Sequence, residues 1–209
     1  MKRMMIVCLM GALLLGGSAS AATISTIMDR NNGGSNGGAV YFDLTVGTSD
    51  ITITDFTTNT LETVSFGFSV YTYGPGGTFA GNESNSGLWS LVATGSGTGL
   101  GANLHSPVTL NAPFVLQANS TYGIALVIGP EAGHDYTNGT GTNQFYSNSD
   151  LSLNFGSATN VPFTGIVNNP RVWNGSITYD LGASAIPEPA TLTMFAAGLG
   201  LLGFFRRRK

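Results

Sequence analysis

Alternation of apolar and polar residues predicts most of the secondary structure of this chain. In AVYFDLTV, residues 39–46, the apolar side chains fall on one face of an extended strand. The same period of two recurs in DITITDFT and in TVSFGFSVYTY. Further strands are predicted at 88–94, 107–116, 121–129, 144–148, 150–156 and 172–180. The pattern therefore predicts about nine short strands and no amphipathic helix in the middle of the chain.

Turn signals rich in glycine and asparagine separate these strands, among them NNGGSNGG at 31–38 and GNESNSG at 81–87. Gly, Asn, Ser and Thr make up 80 of the 163 residues from 23 to 185, so helix formers are scarce. The predicted fold class is all-β, an antiparallel β-sandwich with jelly-roll-like topology. TYGIALVIG, residues 121–129, is apolar on both faces and is predicted to lie centrally in a sheet.

The N-terminus has a different pattern. Lys2 and Arg3 precede an apolar run that passes into small residues, with Ala19-Ser20-Ala21 as an A-x-A cleavage site. These three parts are typical of a secretory signal peptide. We therefore predict a signal peptide at residues 1–22, removed by signal peptidase, and an extracellular β-sandwich domain at residues 23–183.

Charge and cysteine content narrow the range of functions. Residues 23–185 hold ten acidic side chains and two cations, Arg30 and Arg171, so this region carries about −8 whereas the whole chain carries −3. An acidic surface repels phosphate backbones, so nucleic acid is not expected as a partner. The region has no lysine, and Cys8, the only cysteine, lies in the predicted signal peptide. Schiff-base chemistry, disulfides and thiolate metal sites are thereby excluded from the predicted domain.

Few residues of the predicted domain could catalyse a reaction. Only His105 and His134 have side chains that titrate near neutral pH, and both fall in glycine-rich segments predicted to be loops. No pair of carboxylates stands at a convincing site. We predict a protein that is not an enzyme and has no catalytic residue.

The sequence allows two kinds of ligand site, one for calcium and one for a sugar. Calcium could be held by the side-chain oxygens of Asp29, Asn31, Glu131 and Asp135, although their spacing does not match a calcium loop. No other cofactor is expected. His134 and Asp135 are otherwise predicted to lie in a solvated loop.

A sugar could stack on exposed aromatic rings, and Trp173 and Tyr136 are the candidates for such a contact. Trp89 lies between Leu88 and Leu91 in a predicted strand and is assigned to the core.

The last residues, SAIPEPATLTMFAAGLGLLGFFRRRK, contain three features in order. Pro187, Glu188 and Pro189 come first, an apolar stretch follows at 190–205, and the chain closes on a basic cluster of Arg206, Arg207, Arg208 and Lys209. As a helix the apolar stretch would be about 24 Å long at ~1.5 Å per residue, against a hydrocarbon core of about 30 Å. The basic cluster would stay in the cytoplasm, and the two prolines would keep Glu188 extended and accessible.

This arrangement at 184–209 resembles the PEP-CTERM sorting signal of exported proteins in Gram-negative bacteria that make exopolysaccharide. The resemblance implies that an exosortase, a membrane protease, recognises Pro187-Glu188-Pro189, and that the helix at 190–205 is a temporary anchor in the inner membrane. After cleavage the protein would reach the cell surface or the extracellular space.

The region from residue 38 to residue 180 more loosely resembles a β-rich module of secreted bacterial proteins. This second resemblance rests on DITITDF, a GxxxGxE element that ends at Glu83, LWSLV, LQANSTYGIAL and PRVWNGSITYD. We know no enzymatic activity for that module, so the resemblance supports the fold and the extracellular setting.

Together these features predict an exported cell-surface or extracellular-matrix protein with a non-catalytic structural or adhesive role in exopolysaccharide or biofilm. Polysaccharide is the expected partner of the domain. A carbohydrate-binding module with a defined sugar site is the alternative, and a secreted glycan-active enzyme is the third possibility.

Overall fold

Fourteen β-strands make up the part of the chain that the computed structural model describes, residues 21–182. They are β1 (Ala21–Ser25), β2 (Asn32–Asn36), β3 (Ala39–Val46), β4 (Ile51–Thr58), β5 (Ser65–Tyr73), β6 (Ser90–Thr98), β7 (Ser106–Leu116), β8 (Thr121–Ile128), β9 (Gly133–Asn138), β10 (Phe145–Ser147), β11 (Leu151–Val161), β12 (Thr164–Asn168), β13 (Arg171–Trp173) and β14 (Gly175–Leu181). In this range the one helical element is a short 3₁₀ turn, Ser86–Leu88. None of the helical structure between residues 21 and 182 has the length and apolar character needed to cross a membrane.

Eleven strands pair in one antiparallel sheet, in the order β1-β14-β4-β7-β6-β5-β8-β3-β11-β10, with β12 added on β11. A smaller sheet has the order β13-β9-β2. The ends of the large sheet approach each other, because the backbone N–H of Ile27, just after β1, donates to Tyr146 Oη in β10 at 3.4 Å. The large sheet is therefore nearly closed.

The predicted all-β, antiparallel fold is confirmed. Its finer description as a jelly-roll-like sandwich stays a prediction. The predicted signal peptide, apart from its last two residues, and the predicted membrane helix lie outside the described residues.

The inner face of the nearly closed sheet carries the main core. Phe42 stacks on Trp173 with ring centroids 5.9 Å apart and planes 7° apart, and it also packs against Phe155 at 4.7 Å. Each fully buried side chain of this size contributes roughly 1.5–3 kcal/mol through the hydrophobic effect. Alternate residues of a strand point to the same face, so burial of one face gives apolar residues at every second position. This is the pattern from which the sequence predicts these strands.

A second, smaller cluster packs on the outer face of the sheet. Tyr41, Phe79 and Trp89 are its buried aromatic members, and the segment that follows β5 covers this face. Asp43 holds that segment in place, because its Oδ1 accepts the Phe79 N–H at 2.9 Å and its Oδ2 accepts the Thr78 hydroxyl at 2.7 Å. As predicted, β8 is buried on both faces, and it lies between β5 and β3.

Three details differ from the sequence-based expectation. Residues 133–138 form the buried strand β9, although their glycines and polar side chains indicate a loop. The predicted strand at 172–180 is interrupted at Asn174, whose side-chain amide donates to Ile27 O and to Thr137 Oγ1. Trp89 follows the 3₁₀ turn and precedes β6, where its indole N–H donates to Asn82 O at 2.9 Å.

Candidate functional site

An open polar cleft of about 410 Å³ lies beside β11, on the side where the segment after β5 covers the sheet. Its position follows from the fold, because β11 supplies the floor and three connecting segments supply the walls. The lining residues are Phe79, Ala80, Gly81, Glu83, Gln144, Asn154, Phe155, Gly156, Ser157, Asn169 and Pro170.

The floor of the cleft is a β-bulge at Gly156. Phe155 pairs with Phe42 and Ser157 pairs with Tyr41, so Gly156 is an extra residue with no partner on β3. A Cβ at this position would overlap the ring of Phe79, so only glycine allows that ring to lie against the strand. A bulge also redirects the following side chains, and Ser157 lies on the same face of the sheet as Tyr41, where it is 1% exposed.

Glu83 is the carboxylate of the cleft and is 6% exposed. Its Oε1 accepts a hydrogen bond from the Ser157 hydroxyl at 2.9 Å. The single ion pair within residues 21–182 is formed elsewhere, by Arg30 and Asp135. Glu83 therefore lies in a buried position where no cation of the described chain forms an ion pair with it.

The charge of Glu83 affects two neighbouring groups. Burial raises the pKa of Asp43, hydrogen bonds from Phe79 and Thr78 oppose that rise, and the negative charge of Glu83 adds to it. Burial likewise raises the pKa of Tyr41, with a smaller contribution from Glu83 in the same direction. The environment on this side of β3 is thus already electronegative.

Amide side chains form the rim of the cleft. Gln144 is fixed, because its Nε2 donates to Phe155 O at 2.8 Å and its Oε1 accepts the Gly141 N–H at 3.0 Å. Asn154 and Asn169 are exposed, and their side chains make no hydrogen bond to any residue between 21 and 182. Two amides are therefore available at the rim with both their donors and their acceptor.

His134 is a buried structural residue, contrary to the solvated loop expected for it. It is 1% exposed, and burial lowers its pKa to about 4. Its Nε2–H donates to Leu126 O at 3.1 Å, because a carbonyl oxygen can only accept. The Thr58 hydroxyl donates to Nδ1 at 3.1 Å, and Thr58 Oγ1 accepts the indole N–H of Trp173 at 3.0 Å. His105 is exposed, and its Nδ1 lies 2.9 Å from Thr57 Oγ1.

Asp135 is buried as well, at 3% exposure, and the expectation of a solvated loop is wrong for it too. Its Oδ2 pairs with Arg30 Nε at 2.9 Å. Burial raises the pKa of Asp135, and the charge of Arg30 opposes this rise. The carboxylate expected to bind calcium is thus already compensated by a cation.

The other three predicted calcium ligands are Asp29, Asn31 and Glu131, all of them exposed. Asn31 Oδ1 accepts the Asn138 N–H at 2.7 Å, which pins the chain before β2 to the end of β9. Between residues 21 and 182, no three side chains of His, Cys, Asp or Glu lie close enough together to hold a metal ion. The geometry gives no support to a calcium site at these four residues.

The two aromatic residues expected to touch a sugar are both inside the protein. Trp173 is 1% exposed and is enclosed by core aromatics, and Tyr136 is 3% exposed with the Arg171 guanidinium 5.5 Å from its ring centroid. Neither ring presents a free face, so the prediction of glycan contact at these positions is wrong. Both residues belong to the small β13-β9-β2 sheet, in which Trp173 pairs with Tyr136.

Sequence reasoning missed the cleft. Glu83 lies in GNESNSG, which reads as a turn, and its one signal is its place at the end of the GxxxGxE element. Asn154 and Asn169 carry no signal, because asparagine is common throughout the domain.

The predicted sorting residues Pro187, Glu188 and Pro189 and the basic cluster Arg206–Lys209 lie outside the described residues. A family model for the PEP-CTERM protein-sorting motif matches residues 185–209. The resemblance at the C-terminus is therefore confirmed, and the chain carries a PEP-CTERM motif. This motif implies export to the cell envelope or surface and processing by exosortase, a membrane protein. No curated protein matches the chain.

Proposed function

We propose that this chain, which carries a PEP-CTERM protein-sorting motif, is an exported cell-surface or extracellular-matrix protein with a non-catalytic structural or adhesive role in exopolysaccharide or biofilm. The observation that carries the proposal is the motif at 185–209, which begins shortly after the last strand of an all-β domain. The domain is the part delivered, and the motif is the part that directs its delivery.

The non-catalytic role is supported by the state of the titratable groups. His134 is enclosed, and both of its ring nitrogens are bonded to Leu126 O and to Thr58 Oγ1, so neither can exchange a proton with a substrate. The carboxylate of Asp135 forms an ion pair with Arg30. The groups best suited to acid–base chemistry in the sequence are therefore used to hold β9 in the fold.

The sorting route follows from the physical properties of the C-terminal segment. Residues 190–205 would form a short, temporary membrane helix, with Arg206–Lys209 on the cytoplasmic side. Residues 182–186 would link the domain to Pro187-Glu188-Pro189, where cleavage by exosortase would free the domain from the membrane. Signal peptidase would remove residues 1–22 earlier in the route.

Intact-mass analysis of surface material from the producing bacterium tests this proposal. We expect a chain that lacks both the signal peptide and the basic cluster at 206–209. Recovery of the full-length chain in the inner membrane, with none at the surface, would contradict the proposal.

A carbohydrate-binding module is the second candidate function. One observation favours it, namely the cleft beside β11, which combines a buried carboxylate with unoccupied amides. A module of this kind would also account for adhesion to a polysaccharide matrix.

A further inference from the structure

We propose that the cleft beside β11 binds an uncharged sugar residue of a polysaccharide, and that Glu83 is its central hydrogen-bond acceptor. This inference deepens the proposed function and rests on the export of the domain into a polysaccharide-rich space. It adds the position of the binding site, the class of ligand and the residues that contact it.

Glu83 is a buried carboxylate with one hydrogen-bond donor, the Ser157 hydroxyl. Burying a carboxylate costs free energy unless hydrogen bonds and compensating charges replace the water that it loses. Ser157 supplies one hydrogen bond to Oε1, and the described chain supplies no cation to this side chain. A carboxylate accepts about four hydrogen bonds, so Glu83 has acceptor capacity left that faces the cleft. A ligand with several hydroxyl groups supplies the missing donors.

The charges of the cleft restrict the charge of its ligand. The lining of the cleft contains no Lys, Arg or His, and its one ionisable side chain is Glu83. The surrounding domain is strongly acidic, and the charge of Glu83 contributes to the raised pKa values of Asp43 and Tyr41. A phosphate, sulfate or uronate group placed here would be repelled. Uncharged hydroxyl-rich sugars fit this environment, and acidic sugars do not.

The amide side chains at the rim of the cleft match the hydroxyl groups of a sugar. Each amide of Asn154 and Asn169 offers two N–H donors and one carbonyl acceptor. Adjacent hydroxyls of a sugar ring need the same combination of donor and acceptor. The ring of Phe79 and Pro170 add apolar surface to the lining, which suits the C–H face of a sugar.

The site is held rigidly before any ligand arrives. Gly156 sets the bulge that aims Ser157 at Glu83, and Asp43 fixes the turn that carries Phe79. Gln144 is bonded at both ends of its amide. Binding would order few side chains and would lose little conformational entropy. The volume of about 410 Å³ is at the small end of the range for ligand pockets, as expected for one sugar unit of a longer chain.

The experiment uses the full chain, produced in a bacterium that exports it and purified in mild detergent. Binding is measured to immobilised neutral polysaccharides, to polyuronates and to Ca²⁺ alone. We expect retention on at least one neutral polysaccharide, none on polyuronates, and no change in retention when a chelator is added.

Two variants locate the site, and one serves as a matched control. We expect Glu83→Gln to weaken binding about tenfold, since a hydrogen bond to a charged acceptor is replaced by a weaker one. Asn154→Ala changes an exposed side chain without internal hydrogen bonds, so it should weaken binding without changing the melting temperature. Glu131→Gln removes the same charge at an exposed position outside the cleft and should bind like the unchanged chain.

Each remaining outcome would overturn the inference. Absence of retention on every neutral polysaccharide would do so, as would preference for polyuronates, dependence on Ca²⁺, or normal binding by both cleft variants. The proposed function is judged separately by the processing and surface location of the chain. If the protein is processed and reaches the surface but binds no sugar, the proposed function stands and the inference about the cleft is contradicted. If the chain binds sugar but never reaches the surface, the inference about the cleft stands and the proposed function is contradicted.

Discussion

The indole N–H of Trp173 donates to Thr58 Oγ1 across 3.0 Å, and this bond ties the small β13-β9-β2 sheet to strand β4 of the large one. The Thr58 hydroxyl itself donates a hydrogen bond to His134 Nδ1, so one side chain satisfies a donor and an acceptor from two different strands. All three residues are buried, and no water is needed to complete the chain of hydrogen bonds.

Replacement of Thr58 by valine removes this bridge while it keeps the size of the side chain. We expect the free energy of unfolding to fall by about 2–4 kcal/mol, because the Trp173 N–H and His134 Nδ1 are both left buried and unpaired. Denaturant unfolding of the domain measures the change. Thr52→Val is the control, since Thr52 lies in the same strand and its side chain makes no hydrogen bond to residues 21–182. An equal loss in the two variants would argue against the bridge.

The buried imidazole of His134 should make stability depend on pH. Its pKa is about 4 in the folded protein and about 6.5 when exposed, so the unfolded chain binds a proton more readily between these values. The stability from this residue is complete above about pH 6.5 and is lost as the pH falls towards 4, by about 3 kcal/mol.

The comparison of His134→Gln with the unchanged chain isolates this contribution. Asp43 and Asp135 have raised pKa values, so their own contribution to stability has the opposite dependence on pH. Their contribution is present in both proteins, so it cancels in the difference between them. Unfolding curves at several pH values should show a weaker loss of stability on acidification in His134→Gln. His105→Gln, at an exposed histidine, should follow the unchanged chain.

Alanine at Gly156 should destabilise the domain, because its Cβ would overlap the Phe79 ring. We expect a loss of about 1–3 kcal/mol, typical of an overpacked site, measured as a lower denaturation midpoint. Gly67→Ala is the matched control, since a Cβ there meets nothing within 4 Å and Gly67 also lies in a strand. A loss that is the same at both positions would mean that general strand propensity, and not the contact with Phe79, sets the cost.

Glu188→Ala tests the sorting motif. We expect the unprocessed chain to accumulate in the inner membrane, because the motif would lose the acidic side chain between its two prolines. Membrane fractionation followed by intact-mass analysis measures this accumulation. Glu131→Ala changes an exposed acid of the domain and should leave processing normal. Normal surface delivery of Glu188→Ala would mean that this carboxylate is not recognised.

The strands were predictable wherever one face of the sheet is buried and the other is half exposed. SFGFSVYTY alternates because the core lies on one side of it, whereas AVYFDLTV alternates in burial only over its second half, since Ala39 and Tyr41 are covered on the outer face. Strand β9 was not predictable by this rule, since its polar residues are buried by hydrogen bonds and by an ion pair. His134 and Asp135 find their partners on β4, on β8 and before β2, so their sequence neighbours give no indication of burial.

The candidate site was less accessible to sequence reasoning than the fold. Glu83, Ser157 and Asn169 come from three distant segments, and only the folding of the segment after β5 onto the outer face of the sheet brings them together. The burial of Trp173 was missed because its neighbours in the sequence suggest exposure. The adjacent Asn-Gly suggests an exposed turn, whereas Asn174 is fully buried and Gly175 begins the next strand.

Strand β14 has a neighbour on each side. Its Asp180 lies opposite Ala21 of β1, and its Leu181 lies opposite Ile51 of β4. Tension applied to the end of the domain at Leu181 would run along this strand. It would load the hydrogen bonds to both neighbours together in shear, and these bonds could not open one at a time. The strand that leads to the sorting segment is thus mechanically clamped between two neighbours, so a force that reaches the domain from its C-terminal side is resisted by many hydrogen bonds at once.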